Sequence, residues 1–217
     1  MTTRKTLTLA SGALVAGLFS VTASAAWDGL YLGATFGWVD ADERWTSDEN
    51  DDPVTATDDG SALGFLWGYN HQQDQLVIGV EADIAVHSAS PDANDWGSAE
   101  IVSTDLESVA HFRTRVGYLL GENFLPYVSL GVAVARTDTR FIDDGFSSDQ
   151  EQFDSVRAGL SYGFGLEWAA SDRLHARLEF VRDEYSSESF GSYNVLGDSA
   201  FGKLETESFT LGLLYTF

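Results

Sequence analysis

The 217-residue sequence has no cysteine, so no disulfide can staple the fold and no thiolate can ligate a metal. Four scattered histidines offer no spaced ligand set, and neither a metal nor another cofactor is expected. Basic residues are scarce: 12 Lys and Arg stand against 34 Asp and Glu, for a net charge of −22. A binder of nucleic-acid backbone needs the opposite sign, and no nucleic acid is expected as a partner. Proline occurs only three times, against 21 glycines and 13% aromatic residues. That mixture favours strands over helices or disorder. Beyond residue 25 there is no run of 18 apolar residues. A mature chain of this kind can enter a membrane only as a closed barrel.

The beginning of the chain is different. Arg4 and Lys5 precede an apolar stretch from Leu7 to Val21, which ends in Ala23-Ser24-Ala25. A basic start, a short apolar run and small residues at an Ala-x-Ala site predict a secretory signal. The expected division is a signal over 1–25, cut between Ala25 and Ala26, and one domain over 26–217.

Period-2 alternation recurs in eight segments, near 29–39, 61–71, 76–86, 106–118, 125–135, 156–168, 173–182 and 207–217. The intervening stretches alternate in length. Long polar ones cover 40–60, 87–105, 136–155 and 183–206, and short ones 72–75, 119–124 and 169–172. Long outer loops and short periplasmic turns give an antiparallel transmembrane barrel this rhythm. The first long stretch is rich in carboxylates, including Asp48, Glu49, Asp51 and Asp52. It lacks the spacing of a defined calcium loop and is expected to be a solvated acidic loop.

One parity of each segment is free of charge: Leu30, Leu32, Ala34, Phe36 and Trp38 in the first, and Phe209, Leu211, Leu213, Tyr215 and Phe217 in the last. The other parity is mostly Gly, Ser and Thr with a few Arg and carboxylates. A solvated exterior is usually rich in Lys and Glu, whereas after residue 25 the sequence has one lysine, Lys203. Small residues suit the crowded interior of an eight-stranded barrel, and Trp38, Tyr69, Tyr118, Trp168 and Tyr215 stand near strand ends, where interfacial girdles belong. The expected fold is therefore all-β: an eight-stranded antiparallel transmembrane β-barrel, with outer-membrane lipid and lipopolysaccharide around it.

Several segments resemble the opacity-protein-like outer-membrane β-barrel family, often labelled the porin family, with its OmpA-type barrel architecture. They are Trp27-Asp28-Gly29-Leu30-Tyr31-Leu32-Gly33, Ile78-Gly79-Val80-Glu81-Ala82-Asp83-Ile84, Arg113-Thr114-Arg115-Val116-Gly117-Tyr118 with Leu125-Pro126-Tyr127, and Leu211 through Phe217. The resemblance implies an eight-stranded barrel in the outer membrane of Gram-negative bacteria. It also implies that Leu213, Tyr215 and Phe217 form the signal read by the barrel-assembly machinery. Unlike OmpA-like proteins, this chain is expected to lack a peptidoglycan-binding domain.

Inward parity places Glu81, Asp83, Glu107, Arg113, Arg115, Arg157, Glu167, Arg177 and Glu179 in the lumen. Buried charges must be paired, so an ion-pair network is expected to fill the interior. His87-Ser88, His111 and His175 are the histidines an enzyme would draw on, yet no nucleophile motif accompanies them, and no catalytic residue is assigned. Arg182 has lipid-facing parity at an outer strand end, where it can snorkel toward lipopolysaccharide phosphates or stand as a plain loop arginine. The leading expectation is a non-enzymatic, monomeric envelope protein, with a structural or surface role and outer loops available for adhesion or for an extracellular ligand. A narrow ion or small-solute channel is the alternative, followed by a lipid-modifying enzyme.

Overall fold

A computed structural model of the chain describes residues 27–47, 54–94, 100–143, 150–190 and 200–217. The expected cleavage point at Ala25 and Ala26 and the acidic run at 48–52 lie outside the described residues. The described strands are β1 (Gly29–Ser47), β2 (Val54–Gln73), β3 (Leu76–His87), β4 (Asp92–Asn94), β5 (Glu100–Tyr118), β6 (Phe124–Asp143), β7 (Gln150–Ala169), β8 (Leu174–Tyr185), β9 (Glu188–Phe190) and β10 (Ala200–Thr216). The eight long strands pair antiparallel with their chain neighbours, and β1 closes on β10 from Tyr31↔Thr216 to Ser47↔Ala200. The short β4 and β9 pair with β5 and β10 near the outer rim.

The outward apolar parity forms a continuous exposed band: Leu32 is 51% exposed, Phe65 66%, Leu130 58% and Phe164 61%. In water such a surface would drive aggregation; in a bilayer it is the solvent-matched face. From Phe209 to Phe217 the band spans about 27 Å of strand, or roughly 20 Å of membrane at a barrel tilt of ~40°. Trp38 borders it on the outer side. Tyr69, Tyr118, Trp168, Tyr215 and Phe217 border it on the periplasmic side, all exposed.

The strands do not stop where the band stops. The stretches expected to be long loops are strand over much of their described length: β1 continues to Ser47, β6 to Asp143, and β5, β7 and β10 begin at Glu100, Gln150 and Ala200. The cause lies in the solvent. Above Trp38 the outward residues of β1 become Asp40, Asp42 and Arg44, and the inward ones become Val39, Ala41 and Trp45, all buried. The alternation persists with its polarity reversed, so the high charge content of these stretches made them look like loops.

A second irregularity lies in β5. Leu106 faces Thr137 and Ser108 faces Arg136, leaving Glu107 as the extra residue of a β-bulge. Below the bulge the odd residues of β5 point inward, as at Val109, Arg113 and Arg115. Above it the even ones do, as at Leu106 and Thr104.

Arginine in place of Leu130, near the middle of the band, is expected to cost about 2–4 kcal/mol in unfolding from lipid vesicles. Arginine in place of Asp42, outward but above the band, is expected to change stability by less than about 1 kcal/mol. Equal costs at the two positions would contradict this placement of the membrane.

Candidate functional site: the packed lumen

The interior is built in layers. At the periplasmic end Trp27 folds across the mouth and packs with Val77, Leu119, Leu125 and Ala169. Its indole Nε1 donates to the Glu122 carbonyl at 3.1 Å, and its ring lies 4.4 Å from that of His175.

Above this floor sits the ionic core. Arg177 reaches Glu81 and Glu167, each at 2.6 Å, and Arg115 reaches Glu167 at 2.6 Å. Arg113 bridges Glu81 at 3.1 Å, Asp83 at 3.0 Å and Glu179 at 3.1 Å. With Arg115 also 3.7 Å from Glu81 and Arg177 3.8 Å from Glu179, each guanidinium faces more than one carboxylate and each carboxylate more than one guanidinium, except Asp83, whose second partner is His111. Arg115 also stacks 4.1 Å from the centroid of Tyr127 and 5.7 Å from that of Tyr31. The Tyr31 hydroxyl donates to Glu81 at 2.7 Å.

Glycines make room for these rings. A Cβ on Gly165 would lie 2.5 Å from the Tyr127 Cζ and hydroxyl oxygen, and one on Gly68 would land on the Tyr31 ring end. The Gly-rich inward parity is therefore a space requirement of the core.

His111 lies at the outer margin of the core, its Nδ1 2.7 Å from Asp83 and its Nε2 3.1 Å from Asp183. Both ring nitrogens are engaged by carboxylates, and neither is left to take a proton from a hydroxyl. A cavity of about 40 Å³, bordered by His87, His111, Arg113 and Thr210, has room for a few waters.

Further out an apolar layer closes over the core. Val39, Ala41, Leu106, Val109, Ala133, Tyr185 and Leu204 are each 2% exposed or less. Beyond it Arg157 pairs with Glu43 at 2.7 Å and with Glu188 at 3.1 Å. Burial holds the Glu43 carboxyl above the usual carboxylate range despite Arg157.

Of the nine residues expected in one network, Glu81, Asp83, Arg113, Arg115, Glu167, Arg177 and Glu179 lie together. Arg157 is inward but belongs to the separate outer cluster with Glu43. Glu107 is not in the lumen: the bulge turns it outward, where its half-exposed side chain meets Arg136 at 3.1 Å. Tyr31, Tyr127, His111, Asp183 and Glu43 join the interior without having been placed in that network. Tyr31 shares the parity of Gly33, and Glu43 shares that of Ala41 and Trp45, so both carried a readable signal. Ser88 Oγ is 3.2 Å from Ser61 Oγ, on the outer side of the wall.

A closed eight-stranded barrel with a lipid-matched exterior and a charged core is the architecture of outer-membrane proteins, and a family model described as "Outer membrane protein beta-barrel domain" matches residues 11–217. The chain belongs to this family. It is 30% identical over 189 residues to the 25 kDa outer-membrane immunogenic protein of Brucella melitensis biotype 1, covering 87% of this chain and 76% of the relative. The 31 kDa outer-membrane immunogenic protein of the same organism is 27% identical over 206 residues, covering 88% and 84%. Among solved structures, the outer membrane protein OprG from Pseudomonas aeruginosa matches with a TM-score of 0.60 at 18% identity, covering 88% of this chain and 96% of that one. This chain is accordingly an outer-membrane β-barrel protein of Gram-negative type.

Within that membrane, outward Leu213 and Tyr215 on β10 and Phe217 just after it are exposed to lipid. Just above the band Arg182 is held by acidic neighbours, Glu207 at 2.6 Å and Glu205 at 2.7 Å. The hydrogen bond from Lys203 keeps the Glu205 carboxyl below its ordinary range.

Methionine in place of Arg177 is expected to destabilise the barrel by about 3–5 kcal/mol, because Glu81 and Glu167 each lose a buried partner. Glutamine in place of Glu107 is expected to cost less than about 1 kcal/mol. Chemical unfolding of the lipid-reconstituted variants checks the contrast, and a costly Glu107 would place it inside after all.

Proposed function

We propose that the protein is a non-enzymatic and non-conducting barrel that spans the outer membrane as a monomer and presents an acidic, strand-built rim beyond the lipid. The observation that carries this reading is the lumen, filled in sequence by the Trp27 floor, the ionic core and the apolar layer of Val39, Leu106 and Leu204. An ion crossing it would have to separate several buried ion pairs and then desolvate through the apolar layer, at a cost of many kcal/mol. The engagement of both His111 nitrogens and the outward placement of Ser88 support the non-enzymatic part. The Brucella relatives are named immunogenic proteins, which fits a surface-exposed rim. In this reading lipopolysaccharide surrounds the apolar band, and Leu213, Tyr215 and Phe217 serve recognition by the barrel-assembly machinery.

Planar-bilayer recording tests the seal. Purified protein, shown to be folded by its different gel mobility before and after boiling, is expected to leave the bilayer at its bare conductance. A steady ohmic conductance that scales with salt would overturn the sealed-lumen reading in favour of a narrow channel.

A further inference from the structure

Among the described residues the ladder of the barrel wall is interrupted on its outer side. β8 and β9 lie along the same flank of β10, with Glu184 opposite Glu205 and Glu188 opposite Gly202, so the register slips by one residue at Ser186 and Ser187. Among the described residues β9 pairs with β10 and not with β7. The β7–β8 ladder ends at Gly159↔Tyr185, followed by one last backbone bond from the Ser186 N–H to the Ala158 carbonyl at 3.0 Å. β7 nevertheless runs on to Gln150, and among the described residues its outer end pairs with β6 alone.

The backbone direction of this free edge follows from that last bond. The Ala158 carbonyl faces β8, and in an antiparallel strand the N–H and C=O of alternate residues face the same neighbour. Val156 and Asp154 therefore turn their N–H and C=O groups into the gap. Val156 is 71% exposed, and Asp154 is exposed. On the inner side the gap has a fixed back wall: the Glu188 carboxylate accepts from Ser155 Oγ at 2.8 Å and from Arg157 Nε at 3.1 Å. The gap is thus a notch with an ordered polar back, beside the exposed outward residues Asp154 and Val156.

An unpaired strand edge is a template for another strand. Charge selects the occupant. A second copy of this chain would bring its own Asp154 and a net charge of −22 to the edge, and like charges facing each other across strands destabilise pairing. A strand bearing Lys or Arg on its outward positions would instead sit beside the exposed carboxylate of Asp154. Its inward positions would meet Ser155 and Glu188, which suit small or polar side chains.

The geometry points to strand addition: the outer end of β7, at Asp154 and Val156, is a docking edge for an extended cationic segment of a partner protein. The inference rests on the reading of the rim as the surface-presenting end of the barrel and is independent of whether the lumen conducts.

The test uses the full protein, isotope-labelled in zwitterionic nanodiscs, with a short synthetic peptide alternating lysine with threonine as the probe. Expected are saturable binding, weakened by salt, and amide exchange at Asp154 and Val156 slowed by about tenfold or more on saturation. Val156→Pro removes a donor from the open edge while leaving the β6 ladder intact, and is expected to weaken binding by about tenfold. Asp154→Asn is expected to weaken it only a few-fold, and a glutamate–threonine peptide should not bind. Binding without slowed exchange at these amides would mean adsorption on the acidic rim and would overturn the proposal. So would binding that Val156→Pro leaves unchanged, amides already protected without peptide, or no binding at all. If Val156→Pro fails to show folded gel mobility, exchange in the unsubstituted protein decides. Bilayer conductance, which tests the sealed lumen, is untouched by any of these outcomes.

Discussion

Most of the long strands pass from one solvent to another, and the rest of the structure follows from that passage. Within the bilayer the outside of the wall must be apolar, so polar and small residues turn inward. Beyond it the outside must be charged, so apolar residues turn inward. β1 makes the change between Trp38 and Asp40, and β10 between Phe209 and Glu207, residues that face one another across the closing ladder. Because neighbouring strands change at matching levels, the membrane boundary is written into the register of the barrel.

The same passage decides what fills the lumen. In the bilayer-spanning part lipid contact takes most of the apolar side chains, while Leu66 and Leu214 turn inward beside Tyr31. The rest of the interior is built from arginines, carboxylates and tyrosines, which must satisfy one another in the absence of bulk water. Glycines at 68 and 165 let the Tyr31 and Tyr127 rings lie against the wall, and those rings flank Arg115. Beyond the bilayer, apolar side chains return to the interior and form the layer of Val39, Leu106 and Leu204 above the ionic core. A barrel that changes solvent in mid-strand therefore acquires alternating ionic and apolar layers, and this stacking supports reading it as a sealed body.

The outer rim obeys a different constraint. There the strands have unequal lengths: β3 ends at His87 and β8 at Tyr185, while β6 and β7 run far beyond them. Unequal neighbours leave backbone groups without a ladder, and the structure handles the two sites differently. Near β3, the Ser88 N–H donates to the Ser61 carbonyl and the Leu106 N–H to the Ala89 carbonyl, so the following segment continues the wall. Near β8, the slip at Ser186 and Ser187 leaves the notch beside β7.

The sequence by itself determined the barrel. Two-residue periodicity, one charge-free parity, small residues on the other and a short-long rhythm of connections are local features, and local features survive in a linear reading. It also determined most of the ionic core, because parity alone sends Glu81, Arg113, Arg115, Glu167, Arg177 and Glu179 inward. Tertiary structure decided the rest. Glu107 lies outside because a single bulge shifts the parity of β5, and a bulge depends on how two strands are paired rather than on either strand alone. Arg157 belongs to Glu43 rather than to the main core because the strands reach beyond the membrane. That extension was hidden by charge that belongs on the outer face once the solvent changes. The packing of the lumen depends on side chains from strands far apart in sequence meeting at one level, and the gap beside β7 on where β8 slips against β10. Both are set by register, a property of the closed sheet.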